Sequence, residues 1–251
     1  MKARKCNGIA LDIVGRSDVG RVRTANEDEI VFDSEHGIAI LADGMGGLAA
    51  GEVASQTAAA VVYEAVKRAG ELDEGLLRAA FHDANRQVLA LSRAPDASAM
   101  GTTLVVWLDV GYGQCFVAHV GDSRAYRLRD HNLSPLTEDH SVVQQLINEG
   151  VLSKTEARVS SQRNIITRAI GLEPVVQVDL RSWVRGQGDV FLLCSDGLTD
   201  MLSETELQQL LIRCLASDGS GDLEAVADEL VAAANEAGGS DNVSVLLIRP
   251  D

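Results

Sequence analysis

Five aspartates stand at the ends of apolar runs whose composition predicts buried strands. Asp28 begins one run and Asp43 follows the next, while Asp122 ends CFVAHVGD, Asp196 ends VFLLCSD and Asp241 precedes NVSVLLI. A single aspartate at such a place is more often a turn or cap residue. Five carboxylates delivered in the same way favour a cation site, because carboxylate oxygens suit Mg²⁺ or Mn²⁺. Cysteine and histidine are scarce at these strand ends, so a zinc cage is not expected.

The first two of these aspartates are expected to face each other across a hairpin. Residues 28–33 and 37–42 read as strands joined by a short turn, which predicts antiparallel pairing with Asp28 opposite Asp43. Directly opposed carboxylates repel each other unless one is protonated or a cation lies between them. A register slip would instead send both side chains to solvent, and the hairpin taken alone leaves both arrangements open.

Glycine follows two of the aspartates, in the pairs Asp43-Gly44 and Asp196-Gly197. We expect these glycines to let the backbone approach a ligand closely. The segment 43–52, DGMGGLAAGE, is a weak nucleotide signature, because no lysine follows as in a P-loop and its spacing is not GxGxxG. Its amides at the start of a helix could still attract an anion.

Strands and helices alternate along the chain without a low-complexity linker. Short turns between consecutive strands predict antiparallel sheets, and helices that come in pairs predict layers of helix covering a strand sandwich. Ser203 with Glu206 and Ser153 with Glu156 have the spacing of capping boxes at helix starts. The segment 150–170 reads as a long irregular loop of the kind that often forms a lid. The predicted strands cover 8–16, 28–33, 37–42, 102–109, 114–120, 124–129, 175–184, 189–194 and 243–249, and the predicted helices 49–69, 73–93, 139–149, 203–215 and 222–237.

Composition narrows the classes of function. The chain has 251 residues, 46% of them hydrophobic, which suffices for one large core and favours a single domain over 1–251. A formal net charge of −15 disfavours a nucleic-acid partner, which needs a basic footprint. No apolar run approaches the roughly 18 to 20 residues of a membrane span, and the N-terminus lacks the apolar region of a signal peptide. We therefore expect a cytoplasmic protein whose cysteines are free thiols, namely Cys6, Cys115, Cys194 and Cys214.

Seven ordered motifs resemble those of one enzyme family. They are SDVGRVRTANED (17–28), LADGMGG (41–47), GEVAS (51–55), GTT (101–103), VGDSRAY (120–126), LCSDGLTD (193–200) and SDNVS (240–244). Together they resemble the bacterial metal-dependent protein serine/threonine phosphatases of the PPM or type 2C family. The resemblance covers residues 8 to 249, which is essentially the whole chain.

The resemblance implies an α+β fold, a four-layer α-β-β-α sandwich of two antiparallel sheets flanked by helix pairs. It implies hydrolysis of phosphoserine and phosphothreonine by water that two Mn²⁺ or Mg²⁺ ions activate, with a third, weaker ion in bacterial members. By the resemblance, Arg23 grips the substrate phosphate and Asp43 bridges the two ions, one of which the Gly44 carbonyl binds. Asp196 and Asp241 complete the shell of the second ion, and Asp28 holds metal-bound water or the metal directly. Asp122 shares the third ion with Asp196. The catalytic residues carried over are Arg23, Asp43 and Asp196, and the metal ligands are Asp28, Asp43, the Gly44 carbonyl, Asp122, Asp196 and Asp241.

The implied partners are phosphorylated protein substrates and the Ser/Thr kinase that modifies them. We expect a monomer without a nucleic-acid or membrane partner. A non-catalytic phosphoprotein-binding or sensor module of the same fold is the main alternative, although the complete aspartate set and Arg23 argue against it. A phosphatase dedicated to one partner remains open, and a metal-dependent nuclease is disfavoured by the acidic charge and the motifs.

Two positions depart from the family pattern. Leu48 stands where many relatives have a histidine after GMGG, and Ser160 and Ser161 stand where others have a histidine in the lid segment. A histidine that protonates the leaving alkoxide therefore cannot stand at these positions in this chain. We therefore expect water on the metal to supply that proton, with His119 and His140 in structural roles.

Overall fold

The computed structural model describes residues 11–47, 50–94, 98–215 and 221–250. Eleven strands and seven helices follow one another along this described part of the chain. The strands are β1 (Leu11–Asp18), β2 (Asp28–Asp33), β3 (Ile38–Gly46), β4 (Met100–Thr102), β5 (Leu104–Gly111), β6 (Gln114–Val120), β7 (Arg124–Arg129), β8 (Asn132–Pro135), β9 (Asp179–Val184), β10 (Val190–Cys194) and β11 (Val243–Pro250). The helices are α1 (Ala50–Arg68), α2 (Glu74–Ser92), α3 (Val142–Asn148), α4 (Lys154–Arg158), α5 (Asp196–Thr199), α6 (Glu204–Cys214) and α7 (Leu223–Glu236).

The strands form two antiparallel sheets. The first sheet has the order β1-β11-β10-β7-β8, and the second has the order β2-β3-β5-β6-β9, with β4 paired to β3. Three apolar layers follow from this arrangement: α1 and α2 pack on the second sheet, α6 and α7 pack on the first, and a third cluster fills the space between the sheets. The predicted four-layer α-β-β-α sandwich is therefore the observed architecture.

Central strands are buried on both faces, which explains their unbroken apolar sequences. All five residues of β10 are buried, and so are the first six of β5. A strand covered on both sides has no solvent face to mark with polar residues, so it shows no alternation. Trp107 of β5 and Phe191 of β10 meet in the middle layer with ring centroids 5.5 Å apart.

The helices begin where the sequence places caps. Ser203 and Glu206 form the predicted capping box at α6, and Ser153 and Glu156 form the one at α4. In each box the serine hydroxyl accepts from the glutamate amide, and the glutamate carboxylate accepts from the serine amide.

Several predicted boundaries were wrong. The strand predicted for 175–184 begins only at Asp179, the helix predicted for 139–149 begins only at Val142, and 102–109 is divided between β4 and β5. The segment 150–170 is not wholly irregular, because it contains α4. Residues 8–10 and 49, at the starts of a predicted strand and a predicted helix, lie outside the described residues, as does Cys6.

Strand β8 and helix α5 were missed. Asn132–Pro135 is short and polar, so it lacks the apolar alternation by which strands are recognised. It pairs with β7 through a tight turn in which Asp130 and His131 both have positive φ, at 49° and 61°. That conformation is the one that a two-residue hairpin turn requires.

Candidate metal centre

The β2–β3 hairpin places two carboxylates opposite each other. Asp28 is the direct partner of Asp43 in the antiparallel register, as the hairpin pattern predicts, and the alternative of a register slip is wrong. Asp28 is only 8% exposed. Two acidic side chains therefore share one end of the second sheet, with little solvent to screen their repulsion.

Three more aspartates meet at one edge of the first sheet. Cys194 at the end of β10 pairs with residues near the start of β11 and at the start of β7. Because these strands are antiparallel, the segment after β10 and the segments before β11 and β7 share this edge. Asp196, Asp241 and Asp122 occupy those three segments.

A hydrogen bond joins the two sheets at this point. Ser195 Oγ, on the residue before Asp196, donates to Asp28 Oδ2 over 2.9 Å. The amide of Ser244 in β11 donates to the same Ser195 oxygen over 3.0 Å. The end of the hairpin and the edge of the first sheet are thus in contact, and the two groups of aspartates form one centre.

Burial and mutual repulsion raise the pKa values of these carboxyl groups. Burial raises the pKa of Asp28 to about 6, against the hydrogen bonds that Ser244 and Ser195 donate. Burial, with the charge of Asp139 next in importance, raises the pKa of Asp122 to about 7. The pKa values of Asp43 and Asp196 lie well above their usual range because both groups are buried and face the other aspartates.

Raised pKa values in a cluster of carboxylates indicate a need for positive charge. Within the described part of the chain, no three His, Cys, Asp or Glu side chains are already arranged to hold a metal ion. Mg²⁺ and similar hard cations usually take one or two carboxylates and keep several waters, so a pre-formed cage is not required. The donor set consists of oxygen atoms at a buried anionic centre, which suits such cations.

The two glycines beside the aspartates have a structural role that was not predicted. A Cβ on Gly44 would lie 2.2 Å from the Gly51 carbonyl oxygen, and one on Gly197 would lie 1.9 Å from the Asn242 carbonyl oxygen. The glycines therefore allow a close approach between two backbones, and the approach of a ligand stays a prediction. At Gly197 this contact brings the segment of Asp196 against that of Asp241.

Arg23 lies at the rim of the centre. Its Nη2 donates to Asp241 Oδ2 over 2.7 Å, and its side chain is 52% exposed. The negative charge of Asp241, followed by Glu27 and Asp196, raises the pKa of Arg23 against the effect of burial. The guanidinium is thus permanently charged and keeps part of its donor surface open to solvent.

Asn242 holds the loop that carries Arg23. Its Nδ2 donates to the carbonyl oxygens of Val19 (3.0 Å) and Ala25 (2.9 Å), and its Oδ1 accepts from the Glu27 amide over 2.8 Å. Asn242 is only 7% exposed, and these bonds close the base of the loop on both sides of Arg23. The sequence analysis missed this role, although an asparagine directly after a ligand candidate was a usable signal.

Thr103 holds the backbone of Asp43 in a similar way. Its Oγ1 accepts from the Asp43 amide over 3.0 Å and bonds to Ser123 Oγ over 2.7 Å, while its own amide donates to the Asp43 carbonyl over 2.9 Å. Thr103 is only 3% exposed. It therefore connects the segment of Asp43 to that of Asp122, a role that the GTT motif alone did not reveal.

Two histidines near the centre bond to backbone atoms. His119 Nε2 lies 2.8 Å from the Glu138 carbonyl oxygen, and His140 Nδ1 accepts from the Gly121 amide over 3.1 Å. Their rings stack with centroids 4.6 Å apart. Burial and the neighbouring His119 lower the pKa of His140 to about 4, so this ring is neutral near pH 7. Both rings stabilise the segment before Asp122.

The segment 150–170 is bonded to the rest of the protein at its C-terminal end and beside the metal centre. The Thr167 amide donates to the His140 carbonyl over 2.7 Å, and Ile170 exchanges backbone hydrogen bonds with Thr102. Arg163 Nε lies 3.5 Å from Asp200 Oδ2, just after α5. Ser160 and Ser161 belong to this segment, whereas Leu48 lies outside the described residues.

Among the described helices, none is both long enough and apolar enough to cross a bilayer.

Comparisons with known proteins point to one family. The sequence model of the family described as protein phosphatase 2C matches residues 17–233. A serine/threonine phosphatase stp from Listeria monocytogenes is 40% identical over 245 residues, which cover 94% of this chain and 94% of that protein. The structure of the Mycobacterium tuberculosis serine/threonine phosphatase PstP/Ppp has a TM-score of 0.85 at 36% identity and covers 96% of this chain and 98% of that one. The catalytic domain of PstP in complex with two manganese ions also has a TM-score of 0.85 at 36% identity, over 96% and 99% of the two chains.

These similarities confirm the predicted family, fold class and enzyme class. Fold and sequence agree over nearly the whole length of relatives named as phosphatases, which gives no support to a nuclease or to a non-catalytic module. The chain therefore belongs to the protein phosphatase 2C family of serine/threonine protein phosphatases.

Proposed function

We propose that this chain hydrolyses phosphoserine and phosphothreonine in proteins, with divalent cations held at the centre described above. One observation carries the proposal: buried aspartates from the ends of two sheets converge, and burial and mutual repulsion raise their pKa values. A cluster of this kind is costly for the fold unless cations are part of its function.

The proposed ligands all offer oxygen. Asp43 would serve two of the ions, Asp196 and Asp241 would complete the ligands of the second, and Asp122 with Asp196 would hold a third, weaker ion. When bound, the ions lower the pKa of a water molecule to near neutral and offset the negative charge of the phosphate. The manganese complex of PstP supports Mn²⁺, and the chemistry of the donor set admits Mg²⁺ equally. The full set is Asp28, Asp43, the Gly44 carbonyl, Asp122, Asp196 and Asp241.

Arg23 binds the phosphate oxygens of the substrate in this proposal. A guanidinium offers parallel donors that match two phosphate oxygens, and its charge stabilises the transition state. Its position at the rim, bonded to Asp241 and half exposed, supports this role. Asn242 keeps the Arg23 loop at a fixed distance from the carboxylates by bonding to the backbone on both sides.

We also propose that 150–170 acts as a lid beside the centre, within a single domain that spans 1–251. The ion pair between Arg163 and Asp200 supports the lid, the first part of this proposal, because Asp200 lies near the centre: after burial and Asp122, its charge is the next cause that raises the pKa of Asp196. The three apolar layers support the second part, because each sheet takes part in two of them. His119 and His140 are bonded to the backbone, so neither is our proposed proton donor; with metals bound, water at the centre would supply the proton to the leaving group.

The proposed partners follow from the substrate. Phosphoserine and phosphothreonine are made by protein kinases, so a Ser/Thr kinase must supply what this chain hydrolyses. The net charge of −15 supports a monomer, because like-charged copies repel each other. Cys115 and Cys194, which are buried free thiols, support a reducing cytoplasmic location.

The test is phosphate release from a phosphothreonine peptide. We expect turnover with Mn²⁺, and loss of turnover with chelator or with the Asp196→Asn variant. Asp83→Asn is the matched control, because Asp83 is a half-exposed carboxylate on α2 that pairs with Arg86 of the same helix. A folded protein that binds Mn²⁺ but releases no phosphate from several phosphopeptides would contradict the proposal. That result would favour the alternative of a non-catalytic binding module.

A further inference from the structure

A groove of about 530 Å³ lies between α2 and the segment that leads into β9. Arg78 and His82 of α2 form one wall, and residues 175–181 form the other. The second wall follows 150–170 almost directly in the chain, so the groove adjoins the proposed lid. None of its residues belongs to the metal centre.

The groove carries positive charge on a strongly acidic protein. Arg78 Nη1 donates to the Val178 carbonyl over 2.8 Å, which fixes the arginine to the opposite wall. Neither Arg78 nor the exposed Arg181 has a carboxylate partner among the described residues. The one acidic residue of the lining, Asp179, already bonds to Arg168 over 3.1 Å. Arg78 and Arg181 therefore both line the groove without a described carboxylate partner, but from opposite faces of β9. Arg78 stands on the helix side, and Arg181, which pairs with Val117, stands on the side between the sheets, where Glu138 lies nearby.

The shape of the groove suits an extended chain. Strand β9 is the last strand of the second sheet and pairs with β6 on one side, while its outer edge has no partner strand in the described residues. An unpaired edge offers backbone donors and acceptors to a peptide. Val175 and Val184, which flank this edge, are 80% and 66% exposed. The edge thus offers apolar contacts at both ends and positive charge between them.

The wall of the groove is linked to the metal centre. Asp179 lies 3.6 Å from His140 Nε2 and bonds to Arg168. His140 in turn accepts a hydrogen bond from the Gly121 amide, directly before Asp122. A peptide held in the groove would therefore lie at a fixed position relative to the proposed metal ligands.

We propose that this groove docks an acidic, extended segment of the phosphoprotein substrate, away from the phosphorylated residue itself. The charge complementarity selects the occupant, because two arginines without a described carboxylate partner attract carboxylates on a chain whose net charge is −15. This inference rests on the proposed function for its biological meaning, but its physical content is a binding site that can be measured without catalysis.

The first experiment measures binding of an unphosphorylated peptide of alternating Glu and Val by fluorescence anisotropy at low salt. We expect the peptide to bind, and the matched Gln and Val peptide to bind more weakly. Arg181→Gln should weaken binding of the acidic peptide about two- to five-fold, which is the range for one exposed ion pair, and the difference should shrink as salt is added. Arg93→Gln is the control, because Arg93 is exposed at the far end of the same helix region.

The second experiment compares kcat/KM for two phosphothreonine peptides, one with an acidic flank and one with a neutral flank. Wild type should prefer the acidic flank, and Arg181→Gln should reduce that preference by about the factor measured in binding. Hydrolysis of p-nitrophenyl phosphate, which is too small to reach the groove, should not change. Arg78→Gln is the second variant, with its melting temperature measured because Arg78 also holds Val178.

The outcomes separate this inference from the proposed function. Equal binding of acidic and neutral peptides, or binding that Arg181→Gln leaves unchanged, overturns the docking site and indicates that Arg181 only protects a sheet edge. Specific binding of the acidic peptide by a protein that hydrolyses no phosphopeptide keeps the docking site and overturns the phosphatase proposal.

Discussion

The charge of Asp28 should destabilise the protein whenever no cation is bound. Its carboxylate is buried and directly opposite Asp43, and burial is the largest cause of its raised pKa. Asparagine at this position has nearly the same shape and can still accept the hydrogen bond from Ser195. Its Nδ2 can also donate towards Asp43. We therefore expect Asp28→Asn to stabilise the protein in the presence of chelator.

The magnitude follows from the pKa of about 6, against the ordinary value of 3.8. This difference corresponds to about 3 kcal/mol of unfolding free energy. Since the pKa of Asp28 is higher in the folded state, protonation of this group favours folding. Its contribution to the free energy of unfolding is fully present below pH ~3.8 and is lost as the pH rises through about 6. The gain from Asp28→Asn should therefore be about 3 kcal/mol near pH ~7.5 and close to zero near pH ~3.5.

The assay is urea unfolding with chelator at both pH values, supported by melting curves. For a domain of this size, about 3 kcal/mol corresponds to a rise of roughly 6–12 °C in melting temperature. Asp33→Asn, at the other end of β2, is the matched control. Burial raises the pKa of Asp33, but hydrogen bonds from Tyr63 and His36 outweigh it and hold that pKa below its usual range. This substitution should lower stability near neutral pH.

Two results would refute the reasoning. If Asp28→Asn is no more stable than wild type in chelator near neutral pH, the carboxylates do not repel each other as the structure indicates. If the gain is the same at low pH, its cause is packing and not charge. With saturating Mn²⁺ the order should reverse, because a cation that binds only the folded wild type stabilises it by mass action.

Three further substitutions test the parts that support the centre. Thr103→Val should cost about 1–3 kcal/mol and weaken Mn²⁺ binding in calorimetry, because the Asp43 amide loses its buried acceptor, whereas Thr103→Ser should retain most of both. Asn242→Ala should raise KM for a phosphopeptide about ten-fold in steady-state kinetics by freeing the loop of Arg23, and an unchanged KM would exclude that role. Gly197→Ala should lower the melting temperature and Mn²⁺ affinity together, since its Cβ would lie 1.9 Å from the Asn242 carbonyl oxygen.

Local sequence predicted the elements that have strong local signals. The Asp28–Asp43 pairing was one of two arrangements that the hairpin left open, and the observed register is the predicted one. Both capping boxes were correct because each depends on residues three positions apart. Strand β8 was missed because its conformation is set by the turn at Asp130 and by pairing with β7.

The supporting residues could not be predicted from local sequence. Asn242 bonds to Val19 and Ala25 across more than two hundred positions, and Ser195 bonds to Asp28 across 167. Nothing in the neighbourhood of either residue specifies its partner. Such contacts appear only once the two sheets are packed together.

The sequence by itself determined the carboxylates at the strand ends, the order of the motifs and, through them, the family and the fold class. The tertiary structure decided which strand ends meet and how deeply each carboxylate is buried. It also showed that Gly44 and Gly197 serve contacts between backbones, and that Arg78 and Arg181 line a common groove. The physical reason is that residue type and spacing along a strand are local properties. Burial, pKa and charge complementarity depend instead on distances between segments that are far apart in the chain.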